Sequence, residues 1–547
     1  MSTNAEVAET FREIADVLDV LGEKFKPEAY RRAARSIESL TEDLRAVAAR
    51  KELRTIPGVG EAIGEKIGEL LTTGHLEYYE RLKKEVPPGI LDLLKVPGLG
   101  PKTARRFWLE LGVEGPAELA SAIDTGRLAG VKGFGPKKIE QIRGALDAVK
   151  GRPSGRLAIE HAFPIAQRLL RGLRESGTAK EVEIAGSFRR CRETVGDLDI
   201  LATSSEPERV FDTFSGLPEV GSVQLRGGTK ETVLLTNGLQ VDLRVVEPEE
   251  FGAALVYFTG SKDHNVHLRT IARDRGLKIN EYGVFRGEER IGGRTEADVY
   301  ATLQLAWIPP ELREDRGEIE SAAKGPLPPL VEPRDLLQEL HVHLPPKAGP
   351  KEVDRLIAEA RARRLRYVGC VVASTADGGT YTAPAPVRER LRAAAGRGLS
   401  VGLAIEVGPA GPPPDPGGPA YDYAIVRPAS GAPDPSRTAA MAPLRIGLVA
   451  HVGNGPSARR WIDWARSSGA AIEVGPGPDR LDSSGARVAR EAGVPLVVPT
   501  GLGLAEDDPT APIALGFARR AGAGPDAVRN SGRAENVSRG GTPARSG

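Results

Sequence analysis

Asp197 and Asp199 lie two apart in the run GDLDIL, residues 196–201. Residues two apart on a strand point to one face, so a strand here presents two carboxylates side by side. Such a pair suits hard divalent cations, because Mg²⁺ takes oxygen ligands and binds through one or two carboxylates plus substrate phosphates. Just upstream, Gly186-Ser187 reads as a turn opening a short basic helix with Arg189, Arg190 and Arg192. A helix N-terminus offers unpaired backbone N–H groups to an anion, so metal and phosphate sites fall together. A third carboxylate, Asp242, is flanked by Val241, Leu243 and Val245. Strand alternation turns it away from them and toward the same cleft. Three carboxylates around two metals suit in-line phosphoryl transfer, in which the metals clamp the attacking and leaving oxygens.

Positioning these groups requires an α+β scaffold. Val182 and Ile184 predict a first strand, 197–201 a second, and Glu206-Pro207 to Phe214 a crossover helix. Val223 to Leu235 reads as paired strands about Gly227-Gly228, with Lys230 in reach of a nucleotide phosphate or the primer backbone, and Leu239 to Val245 carries Asp242. Upstream, Ala8, Phe11, Ile14, Ala15, Leu18 and Leu21 keep helical spacing, as do Tyr30, Ala33, Ala34 and Ile37. Three runs then repeat one pattern before a helix: Ile56-Pro-Gly58-Val-Gly60, Val96-Pro-Gly98-Leu-Gly100 and Val131-Lys-Gly133-Phe-Gly135. Paired glycines let backbone N–H groups approach a phosphate at a helix N-terminus, and Lys102, Arg105, Arg106, Lys137 and Lys138 supply charge. Such modules grip the nucleic-acid backbone and carry no sequence information.

With 547 residues, the chain is long enough for several domains. Its net charge of +1, from 75 basic and 74 acidic residues, does not speak against nucleic acid, because local basic runs decide that question. Cys191 and Cys370 are the only cysteines, which excludes a disulfide framework and a cysteine zinc site. The acidic, amphipathic start does not read as a signal peptide and no apolar run reaches membrane-spanning length, so the expected location is cytoplasmic and nucleoid-associated. From about Ala521 the Gly/Ser/Arg/Ala composition predicts a disordered tail.

The residues GSFRRCRETVGDLDIL, followed by YFTGSKDHN and INEYGVF, resemble the palm and nucleotide pocket of the family X, beta-type, DNA polymerases. The resemblance implies metal ligation and catalysis by Asp197, Asp199 and Asp242, with two Mg²⁺ for which Mn²⁺ can substitute. It implies nucleotide binding by Gly186, Ser187, Arg190, Gly196, Tyr257, Phe258, Gly260, Asn265 and Arg269. DNA binding falls to Lys26, Tyr30, Gly58, Gly60, Gly98, Gly100, Lys102, Gly133, Gly135, Lys137 and Lys230. Lys66 matches the family's lyase nucleophile, which forms a Schiff base with a 5′-deoxyribose phosphate, and Lys26 and Tyr30 match residues lining its phosphate pocket. Ala62 and Phe25 stand where a lysine and a histidine are common.

From about 336 the pattern changes. Glu339-Leu-His341-Val-His343 resembles the first strand of a PHP domain, the metal-dependent phosphoesterase module, and strands alternating with Ala/Arg-rich helices suit a βα barrel. His341, His343, Glu406 and His451 fit family metal positions, as a vestigial site. Only three of the seven histidines lie in this region; LPPKAG, Val372-Ala-Ser-Thr375 and Pro499-Thr-Gly-Leu502 replace expected ligand stretches. The metal there is therefore doubtful and the exonuclease is expected to be lost.

The expected fold is multidomain: an all-α helix-hairpin-helix region, an α+β nucleotidyltransferase palm with a nucleotide-binding subdomain, and an α/β barrel-like PHP domain. Boundaries are 1–88 (lyase-like), 89–152 (helix-hairpin-helix repeats), 153–250 (palm), 251–320 (nucleotide-selecting), 321–335 (linker), 336–520 (PHP-like) and 521–547 (tail). The implied function is templated gap filling in DNA repair, by a monomer acting on gapped or primed DNA and deoxynucleoside triphosphates, with repair proteins as partners. The alternatives are a 5′-deoxyribose-phosphate lyase, a PHP-type 3′-exonuclease or phosphoesterase, and a non-catalytic DNA-end binder.

Overall fold

The computed structural model describes all residues except 1–3, 41–43, 74–75, 88, 95, 97–98, 132, 136–137, 141, 144–145, 147–155, 346, 375–380, 397, 409–420, 429–445, 455–457, 478, 506 and 532–547. It forms two compact units: residues 1–155 with 205–245, and residues 156–204 with 246–547. From residue 205 onward the helix Pro207–Ser215 precedes the antiparallel strands Val220–Gly227, Lys230–Leu235 and Gln240–Val246. Arg226 on the first strand bonds Glu208 and Asp212 on the helix.

The helical part of the first unit begins with Asn4–Leu21 and Lys26–Ser39, whose apolar stripes face one another. Residues 1–88 and 89–152, expected as two domains, share one cluster of buried apolar side chains running from Val7 to Leu146. The three glycine repeats form one turn three times over. Ile56 accepts from the Val59 N–H at 3.0 Å, Val96 from Leu99 at 3.0 Å, and Val131 from Phe134 at 3.1 Å. All six of those apolar side chains are buried, while Gly60, Gly100 and Gly135 are exposed. Burying the apolar residues anchors each turn, leaving the second glycine's backbone in solvent at the start of the next helix.

In the second unit, Val182–Ile184 pairs antiparallel with Asp197–Thr203. Helices Phe251–Thr259, Lys262–Asp274 and Glu296–Thr302 pack with a three-stranded meander, Lys278–Gly292, around Leu268, Val284 and Tyr300. Among the described residues from 336 onward, seven parallel strands run in sequence order, Gln338–His343, Tyr367–Ser374, Ser400–Val407, Tyr423–Val426, Ile446–Val449, Ala471–Glu473 and Leu496–Val497, and Tyr381–Thr382 pairs antiparallel with the second. Near-continuous burial along the second and third of these strands is what a parallel sheet covered on both faces demands. Among the described residues no helix is long and apolar enough to cross a membrane.

Two expectations are corrected here. The linker 321–335 is packed: Ala322 and Val331 are buried and the Val331 N–H bonds the Ala523 carbonyl at 2.9 Å. The tail expected from Ala521 does not begin there, because Ala523, Val528 and Asn530 are buried. The Asn530 amide donates to the Gln338 and Val498 carbonyls at 3.0 and 2.6 Å and accepts from the Val498 N–H at 3.1 Å. Residues 528–530 thereby tie the first parallel strand to the last. Composition does not reveal this, since small residues also pack where backbone and one amide do the bonding. Asn530→Ala would orphan several buried backbone groups at about 1–3 kcal/mol each; thermal unfolding should show a lower midpoint for the C-terminal region.

Candidate active site

The Asp197–Thr203 strand is exposed at Asp197, half-buried at Asp199 and buried at Leu198, Ile200 and Leu201. The two carboxylates therefore share the open face, as their spacing requires. Against them lies the short helix Gly186–Arg189. Gly186 has φ +65°, and a Cβ there would overlap Asp199 Oδ2 and sit 3.3 Å from its Cγ. The Ala185 N–H also bonds the Asp199 carbonyl at 2.8 Å. The turn and the carboxylate strand fit so closely that only glycine is admitted at 186.

The basic residues after the turn are committed to ion pairs. Arg189 grips Glu296 with two nitrogens, at 2.6 and 3.0 Å, and bonds the Thr259 hydroxyl at 2.9 Å. Glu296 also accepts from the fully buried Arg313 at 2.7 Å. Burial pushes the Glu296 carboxyl up, but the Arg313 and Arg189 guanidiniums overcome it and hold the pKa at about 2. Arg190 donates from Nε to Glu314 at 2.9 Å and from Nη1 to the Thr259 carbonyl. Two nitrogens of the residue expected to grip a triphosphate are thus engaged in the protein. Gly196 is exposed beside the aspartates.

Thr259 closes the helix that carries Tyr257 and Phe258, and is followed by Gly260 and a cis Gly260–Ser261 peptide. Ser261 then caps the next helix through the His264 N–H. Asn265 donates to the Tyr257 carbonyl at 2.6 Å, and Tyr257, Asn265, Arg269 and Asn280 line one small groove. Of the expected nucleotide-selecting residues, Tyr257, Asn265 and Arg269 thus share one groove, which Phe258 and Gly260 do not line; Asn280 joins them from the meander, unrecognised as a site residue although INEY carries part of the resemblance.

In the first unit, Asp242 faces away from buried Val241, Leu243 and Val245. Its carboxylate accepts from Lys230 at 2.6 Å, Thr232 at 2.7 Å and Gln240 at 3.3 Å. Lys230, expected to contact DNA, is also Asp242's ion-pair partner, because strand register sets Thr232 opposite Asp242 and Lys230 opposite Arg244. Thr232 and Gln240 were not foreseen; both follow from cross-strand and same-face neighbours of Asp242. In the helical part, Lys26 and Lys102 are exposed, and Lys66 bonds the Ala62 carbonyl at 3.1 Å with Nζ 4.7 Å from the Tyr78 ring. Tyr30 is corrected from phosphate-pocket lining to core: it is 6% exposed and packs between Phe11 and Tyr78. Gly98 and Lys137 lie outside the described residues.

A second constellation lies at the C-terminal ends of the parallel strands. His341, Glu406 and His451 each bring a ligand atom within 4.8 Å of the others. His343 Nε2 is 2.9 Å from His341 Nε2, and the buried Glu406 Oε1 has no hydrogen-bond partner. His341 Nδ1 pairs with Glu473 at 2.7 Å and His451 Nδ1 with Asp479 at 2.7 Å. Burial opposes the charge on both His341 and Glu473, yet each supports the other: the Glu473 carboxyl is held at about 2 and the His341 pKa is raised. Carboxylates bonded to the far nitrogen of a histidine orient the near nitrogen for a cation. Two imidazoles and one orphaned carboxylate oxygen fit one divalent ion. Glu473 and Asp479 do not stand out in a search led by histidines; their position at or beyond a strand's C-terminal end is the available signal.

Residues 254–314 match the family described as DNA polymerase beta thumb, residues 2–76 that described as helix-hairpin-helix domain, and residues 90–147 the SAM-like helix-hairpin-helix tandem. The segment expected as the nucleotide-selecting subdomain, 251–320, is thus the one matching the thumb. The chain is 36% identical over 335 residues to the DNA polymerase/3′-5′ exonuclease PolX of Bacillus subtilis, covering 60% of this chain and 58% of the relative. It is 26% identical over 344 residues to DNA polymerase lambda of Rattus norvegicus, covering 57% and 56% of the two chains. The Arabidopsis thaliana DNA polymerase lambda is 25% identical over 345 residues, covering 57% and 62%. The chain thus spans less than two thirds of the length of these curated relatives. Together the matched modules and these relatives bear out the resemblance to the family X, beta-type, DNA polymerases.

Proposed function

We propose that the chain is a DNA-directed DNA polymerase that fills short gaps during repair. The observation that carries this reading is the Gly186 turn seated against Asp199, with Asp197 and Asp199 on one open strand face. An all-carboxylate donor set of Asp197, Asp199 and Asp242 has the oxygen chemistry that Mg²⁺ or Mn²⁺ requires. Two such ions, when bound, lower the pKa of the primer 3′-hydroxyl and neutralise the leaving pyrophosphate. The 3′-oxygen forms a bond to the α-phosphorus while the bond from that phosphorus to the bridging oxygen of the pyrophosphate breaks.

The chain's own residues then do the following. Lys230, Thr232 and Gln240 fix the Asp242 carboxylate in one orientation and lower the repulsion of a third carboxylate. Ser187 and Arg190, with the Gly186 turn, take the triphosphate. Tyr257, Phe258 and Gly260 meet the sugar, and Asn265 and Arg269 face the nascent pair from the minor groove, where the acceptors common to all pairs report pair shape. The exposed glycines of the helix-hairpin-helix turns, with Lys26 and Lys102, hold the backbone on either side of the gap. Lys66 is the lyase nucleophile if 5′-deoxyribose phosphate is removed by this chain. The seven-stranded region is PHP-like, and its His341, Glu406 and His451 set suits a single cation, fewer than the three of a working PHP phosphoesterase, so the 3′-exonuclease is expected to be lost. The reading places the protein in the cytoplasm, on DNA, as a monomer.

A one-nucleotide-gapped duplex with a 5′-phosphate tests the function. The wild-type chain should add one nucleotide, chosen by the template base, and release pyrophosphate. Tight gap binding with no addition under Mg²⁺ or Mn²⁺ would contradict the polymerase and favour an end-binding protein.

A further inference from the structure

The turn Gly186–Cys191 is braced from behind by the last long helix of the C-terminal region, Thr510–Arg520, more than three hundred residues downstream. Gly516 lies so close to the turn that a Cβ would overlap Cys191 Sγ and stand 3.0 Å from Cys191 Cβ. Arg520, 3% exposed, uses one nitrogen for two bonds: to the main-chain carbonyl of Arg190 at 3.1 Å and to Glu314 Oε1 at 2.7 Å. That same Glu314 oxygen accepts from Arg190 Nε at 2.9 Å, and the other Glu314 oxygen stands 3.6 Å from Arg192 Nη1. Alongside, Ser483 of the neighbouring helix donates to Glu193. One guanidinium of the C-terminal region therefore fixes both the backbone and the side-chain partner of a single residue in the turn.

We infer that Arg520, acting through Glu314, is a positioning residue for the nucleotide-phosphate turn, so that the C-terminal region is a working part of the polymerase site. The inference rests on the reading of residues 186–190 as the triphosphate site. Arg520 touches no substrate; it sets where the Arg190 main-chain carbonyl and guanidinium stand. The neighbouring Arg519 is a built-in control. It makes a comparable pair with Glu311, at 2.6 and 3.4 Å, and bonds the Val331 carbonyl, but among the described residues it has no hydrogen bond to the turn.

The test is steady-state gap filling by the full chain in Mg²⁺, titrating the nucleotide, with gapped-DNA affinity and thermal unfolding measured on every variant. Arg520→Met should raise the nucleotide KM about 10-fold, the effect of losing charge-assisted hydrogen bonds that hold a binding group. Its kcat and gapped-DNA Kd should stay near wild type. Arg520→Lys, which keeps a charged donor, should recover most of the loss, and Arg519→Met should keep the wild-type KM. A wild-type nucleotide KM in a folded Arg520→Met, a loss confined to kcat, or an equal KM rise in Arg519→Met would overturn the positioning role. Should Arg520→Met fail to fold, Gly516→Ala decides: it removes no charge but pushes the helix off Cys191, so a raised KM supports the role and an unchanged one overturns it. A wild-type chain that adds no nucleotide would instead overturn the polymerase reading itself.

Discussion

Asp199→Asn is expected to slow single-turnover nucleotide addition by at least about 10³-fold, since a carboxylate that holds a catalytic cation contributes several kcal/mol to the transition state and each 1.36 kcal/mol is tenfold. The substitution keeps size and removes charge. Leu198, Ile200 and Leu201 on either side are buried, so the strand that carries the residue is anchored independently of the carboxylate. The melting midpoint should therefore hold, and so should affinity for gapped DNA, which the proposal assigns to the helix-hairpin-helix turns. Raising Mn²⁺ should restore only part of the rate, because an amide oxygen is a weaker ligand than a carboxylate. A residual rate within tenfold of wild type would remove Asp199 from the metal site.

Gly186→Ala is expected to be nearly as damaging, through geometry alone. At φ +65° an L-residue costs about 1–2 kcal/mol in the backbone. The new methyl would in addition overlap the Asp199 carboxylate, which must rotate or retreat from its place on the strand. Activity should fall by about 10²-fold while the fold survives, a loss of 2–3 kcal/mol by the usual conversion of about 1.36 kcal/mol per tenfold. The backbone has little room to relieve the strain one residue on, because Ser187 follows and the turn is pinned by the Arg189 and Arg190 bonds to Thr259. A variant with wild-type nucleotide addition would show that the turn and the carboxylate strand move independently.

The legible parts of this molecule are those where period or repetition carries information. Asp197 and Asp199 alternate with buried residues over a single strand, and the apolar-Gly-apolar-Gly runs repeat three times, so both are readable from spacing. The strands of the C-terminal region show as apolar runs, apart from Tyr423–Val426, which is embedded between Pro/Gly-rich stretches. What spacing does not show is partnership across long sequence separations. Arg190 reads as a wholly open phosphate ligand, yet Glu314 and the Thr259 carbonyl take its Nε and Nη1. Tyr30 reads equally as pocket or core; the helical spacing it shares with Ala33, Ala34 and Ile37 is the better guide. Asn530 sits in a composition typical of tails, and its value lies in three bonds to distant backbone groups. Glu473 escapes a reading by pattern because a lone glutamate at a strand end has no spacing signature; only the fold brings it to His341.

The central claim is that three carboxylates, Asp197, Asp199 and Asp242, make a nucleotidyl-transfer site. The most direct measurement is extension of a primer across a one-nucleotide gap by the wild-type chain and by Asp242→Ala, each with Mg²⁺ and with Mn²⁺. Extension by wild type, lost in Asp242→Ala while gap binding is retained, is the predicted result. Extension that persists in Asp242→Ala would contradict the account, and so would primer degradation that persists in it at a rate matching or exceeding wild-type addition, which would move the chemistry to the His341, Glu406 and His451 constellation.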